Sequence, residues 1–287
     1  MLNRICAVVV TYNRLSLLKE SIAAIKSQNY GCDIFVIDNH SEDSTCQYLE
    51  KEGIQYYSCN ENIGGAGGFS VGIRKAYEMG YEFIWLMDDD CIPEKDALEK
   101  LMQADKMLDG EYGFLSSRAL WVDGTDHSMN KPNHKEKYYD ALYYVKQATF
   151  VSLLLKREVI KKVGLPIKEF FIWGDDIEYT RRIAVNNMMD SYYVENSIVI
   201  HKTDTNVGSK IAFDEIGRID RYRFAYRNEL YLYSKEGIGG LIYYYCKCFY
   251  NALRIVLLSK NNKKKRLAVM LTGMREGLTF APEIETV

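Results

Sequence analysis

Phe83-Ile84-Trp85-Leu86-Met87-Asp88-Asp89-Asp90 decides the reading of this chain: five apolar residues in a row, followed at once by three carboxylates. An unbroken apolar run of strand length belongs to a strand covered on both faces, as in a parallel sheet, because a strand with one wet face alternates. Ligands of such sheets gather beyond the carboxyl ends of the strands, so acids placed there leave the core at the binding edge. In extended chain Asp88 and Asp90 project to the same side. Two hard oxygen donors so arranged suit a divalent cation, Mn2+ or Mg2+, which completes its shell with phosphate oxygens. A solvated acidic turn would carry the same letters. Its position behind a buried strand is what favours the metal reading.

The same grammar recurs upstream. Residues 5–10 form another apolar run, and residues 15–27 place Leu17, Leu18, Ile22 and Ile25 on one helical face. Further strands are expected over 33–38 and 54–58, with a short helix over 44–51 between them. Each strand is followed by polar residues: Thr11-Tyr12-Asn13-Arg14 after the first, Asp38-Asn39 at the end of the second, and Asn60 to Gly68 after the third. Side-chain donors, an acceptor and an aromatic face at neighbouring strand ends are what a nucleobase requires, although Asn and Asp favour such turns in any case. The run Asn60-Glu61-Asn62-Ile63-Gly64-Gly65-Ala66-Gly67-Gly68 reads as a glycine-rich loop that lets backbone approach a nucleoside or diphosphate ahead of a helix over 70–79. It is not a dinucleotide fingerprint, whose glycines follow the first strand, so an oxidoreductase is disfavoured.

Downstream, a helix is expected over 93–107 and a strand over 149–155. Between them, residues 120–139 form a polar stretch bearing Trp121, His127 and His134, read as an acceptor wall. Phe170-Phe171-Ile172-Trp173-Gly174-Asp175-Asp176-Ile177-Glu178 puts three carboxylates at the start of a helix over 175–186. The helix dipole favours acids there, but capping does not require the flat face of Trp173, which suits a sugar ring. His201 ends an apolar strand over 197–201. A lone histidine is usually structural, yet one at a strand end beside an Asp triplet can be its third ligand. From Asp220 onward the pattern is helical, which divides the chain near Gly217 into 1–217 and 218–287.

With 37 basic and 39 acidic residues the net charge is −2, which gives no electrostatic reason to bind nucleic acid. Seven cysteines without a Cys-x-x-Cys pair read as reduced thiols of a cytoplasmic protein. The N-terminus enters a strand directly, leaving no room for a secretion signal. Residues 238–258 are almost continuously apolar, but Lys247, Asn251 and Arg254 share one helical face. Spanning a membrane would bury two charges, so an interfacial helix that keeps them in water is expected, with Lys260 and residues 263–266 drawn to anionic lipid at the cytoplasmic face. The competing reading is a core helix followed by a solvated basic loop.

Taken in order, the motifs Thr-Tyr-Asn-Arg, Val-Ile-Asp-Asn, Asn-x-Asn-x-Gly-Gly-x-Gly-Gly, Met-Asp-Asp-Asp and Trp-Gly-Asp-Asp-x-Glu resemble the family 2 glycosyltransferases. The branch they are most similar to holds bacterial galactofuranosyltransferases and related rhamnosyltransferases. The likeness continues through Asp220-Arg221-Tyr222-Arg223-Phe224-Ala225-Tyr226-Arg227-Asn228. This resemblance implies a GT-A fold, an α/β architecture with a mostly parallel sheet flanked by helices, and inverting transfer from a nucleotide-diphosphate sugar. UDP-galactofuranose is the favoured donor and dTDP-rhamnose the alternative; a glycan or polyprenyl-linked hydroxyl is the acceptor. Matched motif by motif, Asp88, Asp90 and His201 are metal ligands and Asp176 the general base. Thr11, Asp38 and Asn62 are nucleotide contacts, with Gly68 and Asp89 also on the donor side and Arg14 near the diphosphate. Trp173, Asp175 and Glu178 shape the acceptor side. A non-catalytic scaffold subunit would have lost the base or the ligands, and a nucleotidyltransferase would carry more basic residues near the first strand.

Overall fold

The structure, a computed structural model, describes residues 5–132 and 135–287, which fall into two compact units. The first comprises 1–168, 176–207 and 284–287, and the second 169–175 and 208–283.

In the first unit, β1 (Ile5–Thr11), β2 (Asp33–Asp38), β3 (Gln55–Ser58) and β4 (Phe83–Asp88) lie where the apolar runs predicted strands. They alternate with α1 (Leu15–Lys26), α2 (Thr45–Lys51) and α3 (Gly64–Glu78). The chain continues through β5 (Cys91–Pro93), α4 (Ala97–Met107), β6 (Phe114–Leu120), β7 (Glu136–Tyr139), β8 (Leu142–Tyr144), β9 (Leu153–Lys156) and α5 (Arg157–Val163). It then forms α6 (Asp175–Arg181), a π turn and β10 (Tyr192–His201). One sheet runs β3-β2-β1-β4-β9-β6-β10-β8-β7, with β5 paired to β10. The pairs among β3, β2, β1 and β4 are parallel, as is β6 with β10; the others are antiparallel.

Burial on both faces explains the unbroken apolar runs. Along β1, Ala7 and Val9 face a core shared with Leu18 and Ile22 of α1, while Cys6, Val8 and Val10 face another shared with Phe69 and Ile73 of α3. One expectation fails here: the glycines at 64–68 are the first turns of α3, not a loop. Asn62 Oδ1 accepts from the Gly64 N–H, and a Cβ on Gly68 would stand 2.6 Å from Val10 Cγ1. The glycine there serves the close approach of helix to strand. Likewise the helix expected from 93 begins at Ala97, because 91–93 pair with β10. The strand expected over 149–155 is the shorter β9, and the one ending at His201 starts at Tyr192.

The second unit contains α7 (Tyr222–Ser234), α8 (Gly237–Leu258) and α9 (Lys263–Gly277) around Tyr226, Leu230, Tyr244, Cys248, Ile255 and Met270. It departs from both readings of the sequence there. The face bearing Lys247, Asn251 and Arg254 turns inward: Lys247 Nζ pairs with Glu229 Oε1 of α7 at 2.7 Å, and the Arg254 guanidinium lies 5.0 Å from the Phe213 ring centre. The basic run 263–266 opens α9 instead of forming a loop, and Arg266 is buried, donating to the carbonyls of Ile211 and Asp214. Among the described residues no helix is long and apolar enough to cross a membrane.

Candidate active site

Register fixes the binding edge. Thr11 sits opposite Asp38, and Val10 opposite Asp88, so β1, β2 and β4 end together. From β4 to β9 and from β9 to β6 are two antiparallel steps, which restore the original direction; β10, parallel to β6, therefore delivers His201 to the same edge.

At that edge one ligand atom from each of Asp88, Asp90, Cys91 and His201 lies within 4.8 Å of the others. His201 Nε2 stands 3.2 Å from Asp90 Oδ1, and Arg14 donates to the other oxygen of Asp90 at 2.7 Å. Burial would raise the Asp90 pKa, but His201 and Arg14 hold it below the usual carboxylate value. Asp88 is driven the other way, well above its usual value, by burial and by the charges of Asp90 and Asp89. Crowding that pushes one carboxyl up beside another held ionised is relieved either by a retained proton or by a bound cation. Two carboxylates and an imidazole are hard-to-borderline donors that fit Mn2+ or Mg2+. Cys91 joins the cluster geometrically, but burial pushes its thiol well above its usual value, as do Asp90 and Asp88.

Sequence reading missed the support behind His201. Asn130 Oδ1 lies 2.7 Å from His201 Nδ1, and the Asn130 amide donates to Thr149 Oγ1 at 2.8 Å, so Asn130 ties the ring to the start of the stretch leading to β9. With Asn130 at Nδ1, the other ring nitrogen, Nε2, is the one that faces Asp90. His127, fully buried, packs against His201 with ring centres 4.4 Å apart and planes tilted by 34°, and has Nε2 2.8 Å from Thr203 Oγ1. Burial and the neighbouring His201 lower its pKa to about 4, so it stays neutral. The polar stretch read as an acceptor wall therefore contributes Asn130 and His127 to the back of the carboxylate cluster; His134 lies outside the described residues.

The polar groups beyond β1 and β2 are engaged with one another. Thr11 donates to Asp89 Oδ2 at 2.7 Å, and both residues are buried. Burial still raises the Asp89 pKa to about 6, against the lowering influence of Arg14 and Thr11. Asp38 is buried and accepts from the Ser41 N–H, the Ser58 hydroxyl and the Cys46 thiol. Asn39, buried beside it, donates to Asn62 Oδ1 and the Gly64 carbonyl and accepts from the Ile63 N–H, tying β2 to the start of α3. Tyr12, by contrast, leaves its ring exposed at the end of β1.

Asp176 lies near the start of α6, with the Ile177 N–H donating to its carboxylate at 2.7 Å. Burial raises its pKa to about 6, backbone N–H groups opposing, and its charge is felt at Asp88. Glu178 is buried and engaged by Arg182 one turn on, at 2.8 Å; Arg182 also donates to the Val163 and Leu165 carbonyls.

In the second unit, the segment leading to α6 is strained: Phe171 and Trp173 have φ of 62° and 67°, and Gly174 has 87°. Non-glycine residues at positive φ persist where surroundings enforce them. Here the enforcer is Asn228, whose buried amide donates to the carbonyls of Phe170, Ile172 and Trp173 at 3.0, 3.1 and 2.8 Å. Trp173 is partly exposed with its ring 5.0 Å from that of Tyr222, and Asp175 is buried.

Comparison with known proteins gives a consistent picture. The family model "Glycosyl transferase family 2" matches residues 6–164. The galactofuranosyltransferase GlfT1 of Mycolicibacterium smegmatis is 27% identical over 262 residues, covering 83% of this chain and 85% of the relative. The dTDP-rhamnosyl transferase RfbF of Shigella flexneri is 27% identical over 193 residues, 63% of this chain and 64% of that one. Among solved structures, the mannosyltransferase PcManGT from Pyrobaculum calidifontis, in complex with GDP-Man and Mn2+, superposes with a TM-score of 0.59 at 14% identity, covering 97% of this chain and 88% of its own. That likeness shows the GT-A fold.

Proposed function

This chain belongs to glycosyl transferase family 2, and we propose that it is an inverting, metal-dependent enzyme moving galactofuranose from UDP-galactofuranose to a hydroxyl of a glycan or polyprenyl-linked acceptor in cell-surface polysaccharide synthesis. The observation that carries the reading is the cluster of Asp88, Asp90 and His201 at one sheet edge, with the raised carboxyl of Asp176 electrostatically coupled to Asp88.

Asp88, Asp90 and His201 would hold Mn2+ or Mg2+, which when bound supplies charge stabilisation to the departing diphosphate. Arg14, beside Asp89 and Asp90, adds a fixed positive charge on the donor side. The exposed Tyr12 ring stacks on the nucleobase, while Thr11, Asp38 and Asn62 shape the nucleotide pocket and Gly68 and Asp89 lie behind it. Asp176 accepts the proton of the attacking hydroxyl. Its pKa of about 6 makes it a stronger base than an ordinary carboxylate, yet one still ionised at neutral pH. Attack from the face opposite the leaving group inverts the anomeric carbon, through an oxocarbenium-like transition state. Trp173, Asp175 and Glu178 shape the acceptor side, Glu178 through its pair with Arg182.

The catalytic domain is assigned to 1–217 and the helical region to 218–287, with the enzyme working peripherally at the cytoplasmic membrane face, where a polyprenyl-linked acceptor is presented. A second reading, transfer of rhamnose from dTDP-rhamnose, is favoured by the likeness to RfbF. Both are tested by incubating the protein and Mn2+ with a panel of nucleotide sugars, with and without acceptor glycans, and assigning product linkage by NMR. Transfer from UDP-galactofuranose with inversion is expected. Transfer from dTDP-rhamnose alone selects the second reading, and donor binding without turnover on any acceptor would make the protein a scaffold.

A further inference from the structure

Helix α8 is built the wrong way round for a helix that faces water. Its 22 residues make a rod about 33 Å long at 1.5 Å per residue. Ile238, Ile242, Tyr245, Phe249, Leu253 and Leu257 follow one another at intervals of three and four, which places them on a single face. All six are exposed, Ile238 at 78%, Phe249 at 68% and Leu257 at 71%. The two charged side chains of α8, Lys247 and Arg254, are turned to the opposite side, where Glu229 and the Phe213 ring receive them. A surface helix in water keeps its charges outward and its apolar stripe inward. Monomeric proteins rarely expose a continuous apolar patch of this kind unless something covers it.

The charge around the patch says what covers it. Lys260, Lys263, Lys264 and Lys265 follow α8 directly, and all four are exposed. Lys265 reaches Asp220 and Lys263 reaches the Val256 carbonyl, while Lys260 and Lys264 have no ion-pair partner among the described residues. An apolar helical face with a cationic cluster at its end matches an anionic bilayer: side chains enter the acyl boundary while lysines meet lipid phosphates. Tyr243, Tyr245 and Tyr250, exposed on or beside the face, have the apolar body and polar tip that settle at the headgroup layer.

We propose that the outward face of α8 docks on the surface of an anionic phospholipid bilayer, lying in its plane, with the lysines that follow reading the lipid charge. The inference rests on the reading of a transferase that works at a membrane, and it names the surface and the lipid class that hold the enzyme there. The bilayer contact is made by Phe249 and its neighbours; Lys247 and Arg254, half-buried, stay on the opposite side of α8 against Glu229 and Phe213.

The full-length protein, without donor or acceptor, is floated with vesicles of phosphatidylcholine alone or of phosphatidylcholine mixed with phosphatidylglycerol, at low and high salt. Wild type should float with the anionic vesicles at low salt, and binding should fall about tenfold in high salt or on neutral lipid. Phe249→Glu with Leu253→Glu should lower binding at least tenfold, and replacing Lys260, Lys263, Lys264 and Lys265 by Gln should lower it several-fold. Both variants change exposed side chains, so their melting curves should match wild type; the milder pair Phe249→Ser and Leu253→Ser replaces the first should it fail to fold. Wild type that stays with the soluble fraction on anionic vesicles at low salt overturns the proposal, as does flotation indifferent to the face. A wild-type dimer that the face variant splits, with neither form floating, assigns the face to a second copy of the chain. Transfer to a water-soluble acceptor is measured in parallel: its absence defeats the transferase reading alone, whereas its retention in a variant that no longer floats supports both.

Discussion

Two neighbouring stretches of one sheet edge treat their polar groups in opposite ways. Beyond β1 and β2, Asp38, Asn39 and Asn62 have hydrogen-bond partners within the chain, and the carboxylate of Asp38 alone accepts three times. Beyond β4 and β10, Asp88, Asp90 and His201 crowd together, and Arg14 leaves Asp88 pushed well above its ordinary value by burial and its acidic neighbours. The first stretch is held in place by its own hydrogen bonds. The second packs carboxyl groups against one another with Arg14 and His201 as partial compensation, an arrangement more common at functional sites than in scaffolds.

If that contrast is right, the largest loss comes from the base that borders the crowded stretch. Asp176→Asn should cut turnover about a hundredfold or more while donor affinity stays nearly unchanged, as measured by steady-state kinetics beside nucleotide titration. The pH profile carries the same signature. If Asp176 is the base, as proposed, it acts only when ionised; with its pKa raised to about 6, kcat/KM should be full above that value and fall as pH drops through it. An acid limb that persists in Asp176→Asn would assign it to another group.

A smaller effect sharpens the contrast from behind. Asn130→Ala should weaken Mn2+ binding about ten- to a hundredfold, the usual cost of losing a group that orients a ligating histidine, without changing the melting curve much. His201→Ala should raise the metal requirement further and leave the protein folded. Unfolding instead would mark His201 as structural.

Asn130 also shows where the sequence stopped being legible. The strands of the parallel half could be read because burial on both faces leaves continuous apolar runs, and the acids after β4 and His201 after β10 could be read because those strands end there. Asn130 and His127 lie in an irregular polar stretch, and only the pairing of β6 with β10, set by long-range topology, brings that stretch to His201. The glycines at 64–68 look alike whether they face a ligand or Val10, and packing alone decides. For α8, the spacing of Lys247 and Arg254 defines a face but not its direction; Glu229, on another helix, determines that the face turns inward.

The scaffold stretch should answer with stability instead of chemistry. Asp38→Ala removes the charged acceptor of the Ser41 N–H and the Ser58 hydroxyl, which water can partly replace, so thermal denaturation should report a loss of about 1 kcal/mol. Turnover of the protein that remains folded should fall far less than in Asp176→Asn. A variant of unchanged stability that cannot bind nucleotide would erase the distinction between the two stretches and make Asp38 a ligand contact first.

The most direct test is Mn2+ binding itself, followed by electron paramagnetic resonance in the presence of UDP and paired with turnover before and after EDTA. One tightly held Mn2+ per chain is expected, lost in Asp90→Ala, with activity that EDTA abolishes and Mn2+ restores. Wild type that binds no Mn2+ and turns over fully in EDTA, or an Asp90→Ala variant that binds it as tightly as wild type, would contradict the metal reading.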